Sequence, residues 1–211
     1  MSDEFFEIAF RPPKLSAMTQ GLLRNWDWCK RSVRADIAVV NGILKGYEIK
    51  SEKDTIARLK TQASVYSQVF DTVTLVVAER HLKKTTRLVP DWWGIEVASL
   101  EKSSAVVKLE PLREEQLNSE VDACKLVQLL WRDEVLSILH STGAAPALSS
   151  KPRAYLWKSL AESMPLCDLK AAVRLTLKSR KEWRSDEQQT PSDEMCLPAA
   201  TSLCSRSTSW T

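Results

Sequence analysis

The sequence lacks the features that mark membrane, secreted and zinc-binding proteins. Its 211 residues contain no run of about 18 apolar residues, so we expect no transmembrane helix. The acidic start, Met1-Ser2-Asp3-Glu4, has no apolar stretch, so we expect no secretory signal. Five cysteines are scattered without any CxxC pair, a pattern typical of free thiols and not of a disulfide framework or a zinc site. These absences predict a cytoplasmic protein with no membrane association.

Glycine is also scarce, and two of the five glycines fall in one short stretch, residues 34–50. The stretch consists of two β-rich runs on either side of Asn41-Gly42, and an Asn-Gly pair between apolar runs is a strong hairpin signal. We therefore predict a β-hairpin. The helical character of residues 15–29 predicts a helix before it, bounded upstream by two prolines.

Apolar spacing indicates α/β architecture for the chain that follows. Ser51 and Asp54 resemble a helix cap, and apolar residues three and four apart predict a helix over residues 52–70. By the same criteria we predict strands over residues 72–78, 94–99 and 105–109, and helices over residues 126–139, 153–163 and 168–183. The expected core is a central mixed sheet flanked by helices.

The formal net charge of +3 is unevenly distributed along the chain. Residues 151–184 carry nine basic and three acidic side chains, whereas residues 1–110 carry 17 and 14. Two interpretations of the basic segment stay open: a helical module that binds a phosphate backbone, and the solvated faces of helices that pack on the core. The stretch after residue 184 is rich in Ser, Thr, Pro and acidic residues, which is typical of a disordered tail.

The predicted hairpin carries two carboxylates and a lysine that suit phosphodiester chemistry. Asp36 lies on its first strand, and Glu48 and Lys50 share one face of its second strand because side chains alternate with period two. A two-residue turn would place Asp36 on the other face, whereas a three-residue loop over residues 41–43 would pair it with Glu48. Neighbouring carboxylates suit Mg²⁺ or Mn²⁺, and a nearby lysine can stabilise developing negative charge. The site therefore requires an odd-numbered loop or a bulge.

These residues, in this order, resemble the PD-(D/E)XK nuclease superfamily. Asp36 is followed by eleven residues and then by Glu48-Ile49-Lys50, and the next predicted helix carries Gln62-Ala-Ser-Val-Tyr66. The second element is similar to the Q-x-x-x-Y motif of RecB-type members. The segment also resembles a group of small, poorly characterised bacterial and phage nuclease-like proteins. The resemblance implies a restriction-endonuclease-like core and metal-dependent nuclease activity.

The resemblance also implies a role for each motif residue. Asp36, Glu48 and the carbonyl oxygen of Ile49 would bind the metal. Lys50 would position or activate water. Gln62 and Tyr66 would support the site or contact DNA.

Structural roles for the same residues stay open. Asp36 and Glu48 on a solvated sheet would be ordinary strand residues, with Lys50 as their ion-pair partner. Tyr66 lies within the apolar face of its helix, so packing alone also accounts for it. Gln62 lies at the edge of that face and is the better functional candidate. A contact with nucleic acid is predicted for basic residues near the hairpin and in the basic segment, namely Lys53, Arg58, Lys151, Arg153, Arg174 and Lys178.

In sum, the sequence predicts an α/β nuclease core of order αβββαβ over residues 1–112. A basic helical extension over 113–184 and a disordered tail over 185–211 would follow. The expected activity is Mg²⁺-dependent hydrolysis of DNA in a repair, phage or defence context, with Mn²⁺ as an alternative cofactor and RNA as an alternative substrate. The alternative function is a catalytically silent DNA-binding accessory protein of the same fold. A homodimer is compatible with such a fold.

Overall fold

Six strands form one mixed sheet in which chain order is also spatial order, β1–β2–β3–β4–β5–β6. The structure is a computed structural model and describes residues 21–29, 33–100, 107–143 and 146–180, with side chains for residues 35–100, 107–143 and 148–180. The strands are β1 (Gly21–Cys29), β2 (Val33–Asn41), β3 (Ile43–Lys50), β4 (Thr72–Ala78), β5 (Gly94–Leu100) and β6 (Val107–Arg113). The helices are α1 (Leu59–Tyr66), α2 (Leu82–Thr85), α3 (Ala123–Leu126), α4 (Arg132–Ser141), α5 (Arg153–Ser163) and α6 (Leu166–Ser179).

The sheet is antiparallel at its two edges and parallel at its centre. Strands β1, β2 and β3 pair antiparallel, β3, β4 and β5 pair parallel, and β6 returns antiparallel to β5. Parallel neighbours require crossover connections, and here α1 joins β3 to β4, while a short helical segment with α2 joins β4 to β5. The central strand β4 is buried along its whole length, as the apolar run predicts.

The helices cover one face of the sheet. Its main hydrophobic cluster combines strand residues with buried side chains of α1, α3, α4, α5 and α6. A smaller cluster lies on the opposite face and is formed by Ile37, Val39, Tyr47, Val76 and Ala98. In the part of the chain that the structure describes, no helix is long and apolar enough to cross a bilayer.

The C-terminal helix α6 is joined to the sheet through the buried residue Asp71. The Asp71 carboxylate accepts a hydrogen bond from the backbone N–H of Leu44 at 2.7 Å. It also forms ion pairs with Lys170 at 2.9 Å and Arg174 at 3.2 Å, both on α6. For these two basic residues the structure therefore favours the second interpretation of the basic segment, that of helices packed on the core.

One helix prediction at the N-terminal side is wrong, and a second, over residues 52–70, is confirmed only for Leu59–Tyr66. Residues 21–29 of the predicted 15–29 helix form strand β1, because pairing with β2 from Gly21–Val40 to Cys29–Val33 outweighs the local helical character. Residues 15–20 lie outside the described ranges. The helix predicted over 52–70 begins only at Leu59, since the Asp54 carboxylate accepts hydrogen bonds from the backbone N–H and hydroxyl of Ser51 and closes a turn.

Further along the chain, the predicted helix 126–139 is interrupted. Helix α3 ends at Leu126, a 3-10 turn follows, and Leu130 adopts extended backbone before α4 begins at Arg132. Strand β6 continues past the predicted end at residue 109 to Arg113, and residues 105 and 106 of the prediction lie outside the described ranges. The strand over 72–78 and the helix over 153–163 are confirmed at their predicted bounds. The predicted tail lies outside the described residues.

Candidate functional site

The register of the β2–β3 hairpin places Asp36 opposite Glu48. Asn41 pairs with Ile43 across Gly42, and the ladder runs from there to Ile37–Tyr47. This is the three-residue loop that the site requires, and the predicted odd register is confirmed. Gly42 makes this loop possible because its φ is +73°, a backbone conformation that residues with a side chain rarely adopt. The paired ladder ends there, and the next positions at the same register are Asp36 on β2 and Glu48 on β3. Glu48 contacts Gln62 and Tyr66 of α1, so it lies on the helix-covered face.

Glu48 is the centre of the site and is only 1 % exposed. One carboxylate oxygen, Oε1, accepts from Lys50 Nζ at 2.5 Å and from Gln62 Nε2 at 2.6 Å. The other, Oε2, accepts from the hydroxyl of Tyr66 at 2.6 Å. A buried carboxylate requires such partners, because an unpaired charge away from water is costly. Lys50, Gln62 and Tyr66, all predicted from the two motifs, therefore contact the carboxylate of Glu48, which was predicted with them.

Asp36 lies half-buried beside this network. The backbone ladder stops at Ile37–Tyr47, and the Asp36 carboxylate then accepts the backbone N–H of Ile49 at 2.7 Å. Burial, together with repulsion from Glu48, raises the pKa of Asp36 to about 7. The structure thus brings the two carboxylates close enough that Glu48 disfavours ionisation of Asp36.

Core packing positions the Tyr66 hydroxyl. Its ring is fully buried, stacks on Trp93 with 5.7 Å between ring centroids, and meets the edge of Phe70 at 5.3 Å. Burial and the adjacent Glu48 carboxylate hold the pKa of the Tyr66 hydroxyl well above its ordinary value, so the group stays a donor. Trp93 is buried and Trp92 partly exposed, each with a place in or beside the core. Tyr66 therefore has both a packing role and a polar contact in the site.

The residues present have the chemistry to hold a hard divalent cation. Asp36, Glu48 and the carbonyl of Ile49 would offer oxygen ligands, the type that Mg²⁺ and Mn²⁺ take. Gln62 adds a buried side-chain oxygen, Oε1, that has no hydrogen-bond partner among the described residues. Across those residues there is no group of three or more His, Cys, Asp or Glu side chains suited to a metal, so any cation here would depend on two carboxylates.

The basic residues predicted to bind nucleic acid occupy different environments. Lys53 and Arg58 are exposed in the loop between β3 and α1, at the end of the strand that carries Lys50. Arg174 points inward to Asp71, and Lys178 is exposed on the same helix.

Two further basic residues of that predicted set lie against aromatic rings. The Nζ atom of Lys151 lies 5.6 Å from the ring centroid of Tyr155. The guanidinium of Arg153 lies 4.6 Å from the ring of Trp157 and donates to the carbonyl of Leu130 at 3.2 Å. Their charges are therefore partly engaged within the helical region.

A second polar cluster, on the opposite face of the sheet, is not predicted from the sequence. Lys45 forms an ion pair with Glu115, and Thr74 donates to the same carboxylate at 3.2 Å. These residues line a cavity of about 380 Å³ together with Glu96, whose pKa is raised by burial. The cluster joins three strands and the segment after β6, and its members have no motif spacing that would reveal it.

Comparison with known proteins finds a matching family, a relative and a solved structure. Residues 25–194 match the family model of Bacteriophage P4 protein cII. Over 166 residues the chain is 24% identical to Protein cII of Enterobacteria phage P4, an alignment that covers 79% of this chain and 60% of that protein. A solved structure of a protein of unknown function from Silicibacter pomeroyi aligns with a TM-score of 0.36 at 18% identity, over 59% of this chain and 81% of that one. Since the family model spans most of its residues, the chain belongs to the Bacteriophage P4 protein cII family.

Proposed function

We propose that this protein is a Mg²⁺-dependent nuclease of the PD-(D/E)XK type that hydrolyses DNA phosphodiester bonds. The observation that carries the proposal is the set of contacts at Glu48. Lys50, Gln62 and Tyr66 all donate to its buried carboxylate, and Asp36 stands opposite it in the hairpin. Residues from two separate motifs thus converge on one carboxylate, which a solvated sheet surface would not require.

The order of the strands and helices gives independent support. The described elements β1, β2, β3, α1 and β4 follow one another as βββαβ. This is the later part of the αβββαβ order expected of a restriction-endonuclease-like core. Strand β1 supplies the third strand of the βββ unit, which the sequence prediction had assigned to a helix. The candidate residues lie on strands β2 and β3 and on α1, the helix that crosses from β3 to β4.

Each side chain has a distinct task in this proposal. Asp36, Glu48 and the Ile49 carbonyl would hold the cation, which when bound supplies an activated water and neutralises charge at the scissile phosphate. Lys50 holds an ammonium group beside the carboxylates, where it attracts a phosphate and stabilises the negative charge that develops in the transition state. The donors from Gln62 and Tyr66 fix the rotamer of Glu48.

A cleavage assay with matched variants tests the proposal. Supercoiled plasmid, single-stranded DNA and RNA are incubated with the full chain and Mg²⁺ or Mn²⁺, using wild type, Asp36→Asn, Lys50→Met and Lys108→Met. Lys108 is an exposed strand lysine paired with Glu110 and serves as the control. We expect loss of about 100-fold or more in DNA cleavage for the two site variants and no loss for the control. Equal cleavage by all four proteins contradicts the proposal.

A second candidate function is that of a catalytically silent accessory protein that binds DNA through the same fold. The 1 % exposure of Glu48 favours it, since three donors already occupy that carboxylate. These three hydrogen bonds also satisfy the buried Glu48 carboxylate without a metal ion, as in a purely structural polar cluster. Salt-dependent DNA binding by wild type and Asp36→Asn alike, with no cleavage of any substrate in either metal, would support this alternative over the nuclease.

A further inference from the structure

The connection from β4 to β5 concentrates positive charge on the surface. Residues 79–87 contain one acidic side chain, Glu79, and four basic side chains, Arg80, Lys83, Lys84 and Arg87, which we call the basic ridge. All four are exposed. Within the described ranges, none of the four forms an ion pair or a side-chain hydrogen bond. The ridge therefore presents its charge to solvent.

The basic ridge lies at the same edge of the sheet as the candidate site. Strands β3 and β4 are parallel neighbours, and Lys50 at the end of β3 pairs with Val77 near the end of β4. Their carboxyl ends therefore lie side by side. Arg80 follows two residues after the last residue of β4, Ala78.

The ridge segment also lies on the same face of the sheet as the candidate site. Leu82, Leu88 and Val89 belong to or pack against the hydrophobic cluster that contains Tyr66. The segment continues into Trp93, whose ring stacks on Tyr66. Because Tyr66 in turn donates to Glu48, a short chain of direct contacts connects the ridge segment to the site.

Hydrogen bonds hold the ridge segment in a defined conformation. The hydroxyl of the buried residue Thr85 donates to the carbonyl of His81 at 3.1 Å, and that of Thr86 to Leu82 at 2.7 Å. The guanidinium of Arg113 then donates to the carbonyl of Pro90 at 2.9 Å and to that of Trp93 at 2.7 Å. The four exposed charges thus extend from a segment with internal hydrogen bonds, and the chain that follows it is attached to Arg113 of β6.

Basic residues elsewhere in the described part of the chain are commonly engaged inside the protein. Lys170 and Arg174 pair with Asp71, and Arg180 pairs with Glu134. Lys45 pairs with Glu115 on the other face of the sheet. The unpaired charge of the ridge, in contrast, is available to an external anion.

We propose that the basic ridge binds the sugar–phosphate backbone of DNA and leads it to the edge of the sheet where Glu48 and Lys50 lie. Lysine and arginine side chains bind backbone phosphates without reading sequence, and they release counterions as they do so. A lipid surface suits the segment less well, because its apolar residues Leu82, Leu88 and Val89 pack toward the core. The choice of DNA as the ligand rests on the proposed function.

Binding of a fluorescein-labelled DNA duplex of about 30 base pairs, measured by anisotropy without divalent cations, tests the ridge. The test variant is Lys83→Gln, Lys84→Gln and Arg87→Gln in the full chain. The matched control removes three exposed lysines outside the ridge, Lys108→Gln, Lys125→Gln and Lys158→Gln. We expect the ridge variant to bind about tenfold or more weakly and the slope of log K against log salt to fall by about 2 to 3. The control should stay within about twofold of wild type.

The same measurements separate failure of the ridge from failure of the nuclease proposal. Three outcomes would contradict DNA binding by the basic ridge. They are unchanged affinity in the ridge variant, an equal loss of affinity in the control variant, and no DNA binding by wild type. Tighter binding of an RNA duplex of the same length, by about tenfold, overturns DNA as its ligand. Ridge-dependent binding by a wild-type protein that cleaves nothing supports the ridge and contradicts the nuclease. Equal DNA cleavage by wild type and the ridge variant, with unchanged DNA affinity in the variant, supports the nuclease and contradicts the ridge.

Discussion

Tyr66 donates a hydrogen bond of 2.6 Å to the carboxylate of Glu48, and its own ring is fixed by stacking on Trp93. A buried aromatic contact in the hydrophobic core therefore determines the position of one donor in the candidate site. The same residue has the packing role of the structural interpretation and also a polar contact in the candidate site. Stability and site geometry are thus coupled through one side chain.

Tyr66→Phe should separate these two contributions. The ring remains stacked, but one oxygen of a carboxylate that is 1 % exposed loses its donor. We expect the free energy of unfolding to fall by about 1–3 kcal/mol, the cost of an unsatisfied buried group. Urea unfolding followed by tryptophan fluorescence measures it, with Tyr155→Phe, an exposed tyrosine, as the control. A change no larger than that of the control would contradict the buried contact.

Asp36 should make stability depend on pH in the absence of divalent cations. Its folded-state pKa is raised from 3.8 to about 7, so the unfolded chain loses the proton at lower pH than the folded protein. The stability it contributes is complete below about pH 4 and is lost as the pH rises to about 7, by at most about 1.4 kcal/mol per pH unit. Urea unfolding in EDTA at several pH values should show this fall in wild type, whereas Asp36→Asn should lack it. Identical profiles for the two proteins would contradict the raised pKa.

Mg²⁺ should stabilise the folded protein through the same carboxylates. Above pH 7, where Asp36 and Glu48 repel each other, a cation that binds only the folded state raises the midpoint of thermal unfolding, by an amount that grows with the ratio of its concentration to its dissociation constant. We expect this shift in wild type and its absence in Asp36→Asn. Asp91→Asn, at a fully exposed carboxylate, is the control and should respond as wild type does. A shift of equal size in all three proteins would indicate non-specific ion binding.

Arg174→Ala should affect stability and leave DNA affinity unchanged. Arg174 and Lys170 both pair with the buried carboxylate of Asp71, and loss of one partner weakens the attachment of α6 to the sheet. We expect a loss of about 1–3 kcal/mol in the free energy of unfolding. Lys178→Ala, on the exposed side of the same helix, should change it by less than about 0.5 kcal/mol. Weaker DNA binding by Arg174→Ala in a fully folded protein would restore the role predicted from the sequence.

Gly46→Ala should be more destabilising than a typical surface substitution. An added Cβ would lie 3.0 Å from ring atoms of Phe70, which is itself fully buried and packed against Tyr66. We expect a cost of about 1–3 kcal/mol from overpacking. Gly42→Ala tests a different term, the positive φ of the loop, because nothing lies within 4 Å of its added Cβ. A cost for Gly46→Ala of less than about 0.5 kcal/mol, the range of typical surface substitutions, would contradict the crowding.

The candidate site could be predicted from the sequence because its spacing follows from local geometry. Glu48 and Lys50 share a face by alternation along one strand, and the requirement that Asp36 join them predicted an odd-numbered loop or a bulge. Gln62 and Tyr66, four apart on a helix, also share a face by local geometry. That these two meet Glu48 depends on how α1 crosses the sheet, which is a tertiary property.

Features that depend on contacts between residues far apart in the chain could not be predicted from the sequence. Strand β1 owes its conformation to pairing with β2, and the bond between Arg174 and Asp71 joins residues 103 apart. The basic ridge was hidden for a different reason. Its four charges were averaged with the acidic residues of the first 110, and only the fold shows that they have no internal partners.

The attachment of α6 at Asp71 has a consequence for how such a protein can diversify. A genetic crossover near residue 113 would combine the sheet of one parent with the helices of another, and would separate Asp71 from Lys170 and Arg174. In the hybrid, the buried Asp71 carboxylate just before β4 would have no ion-pair partner on the helix unless the new helix carried basic residues at matching positions. Exchange of segments between relatives should therefore preserve this acidic and basic set together, or replace it together.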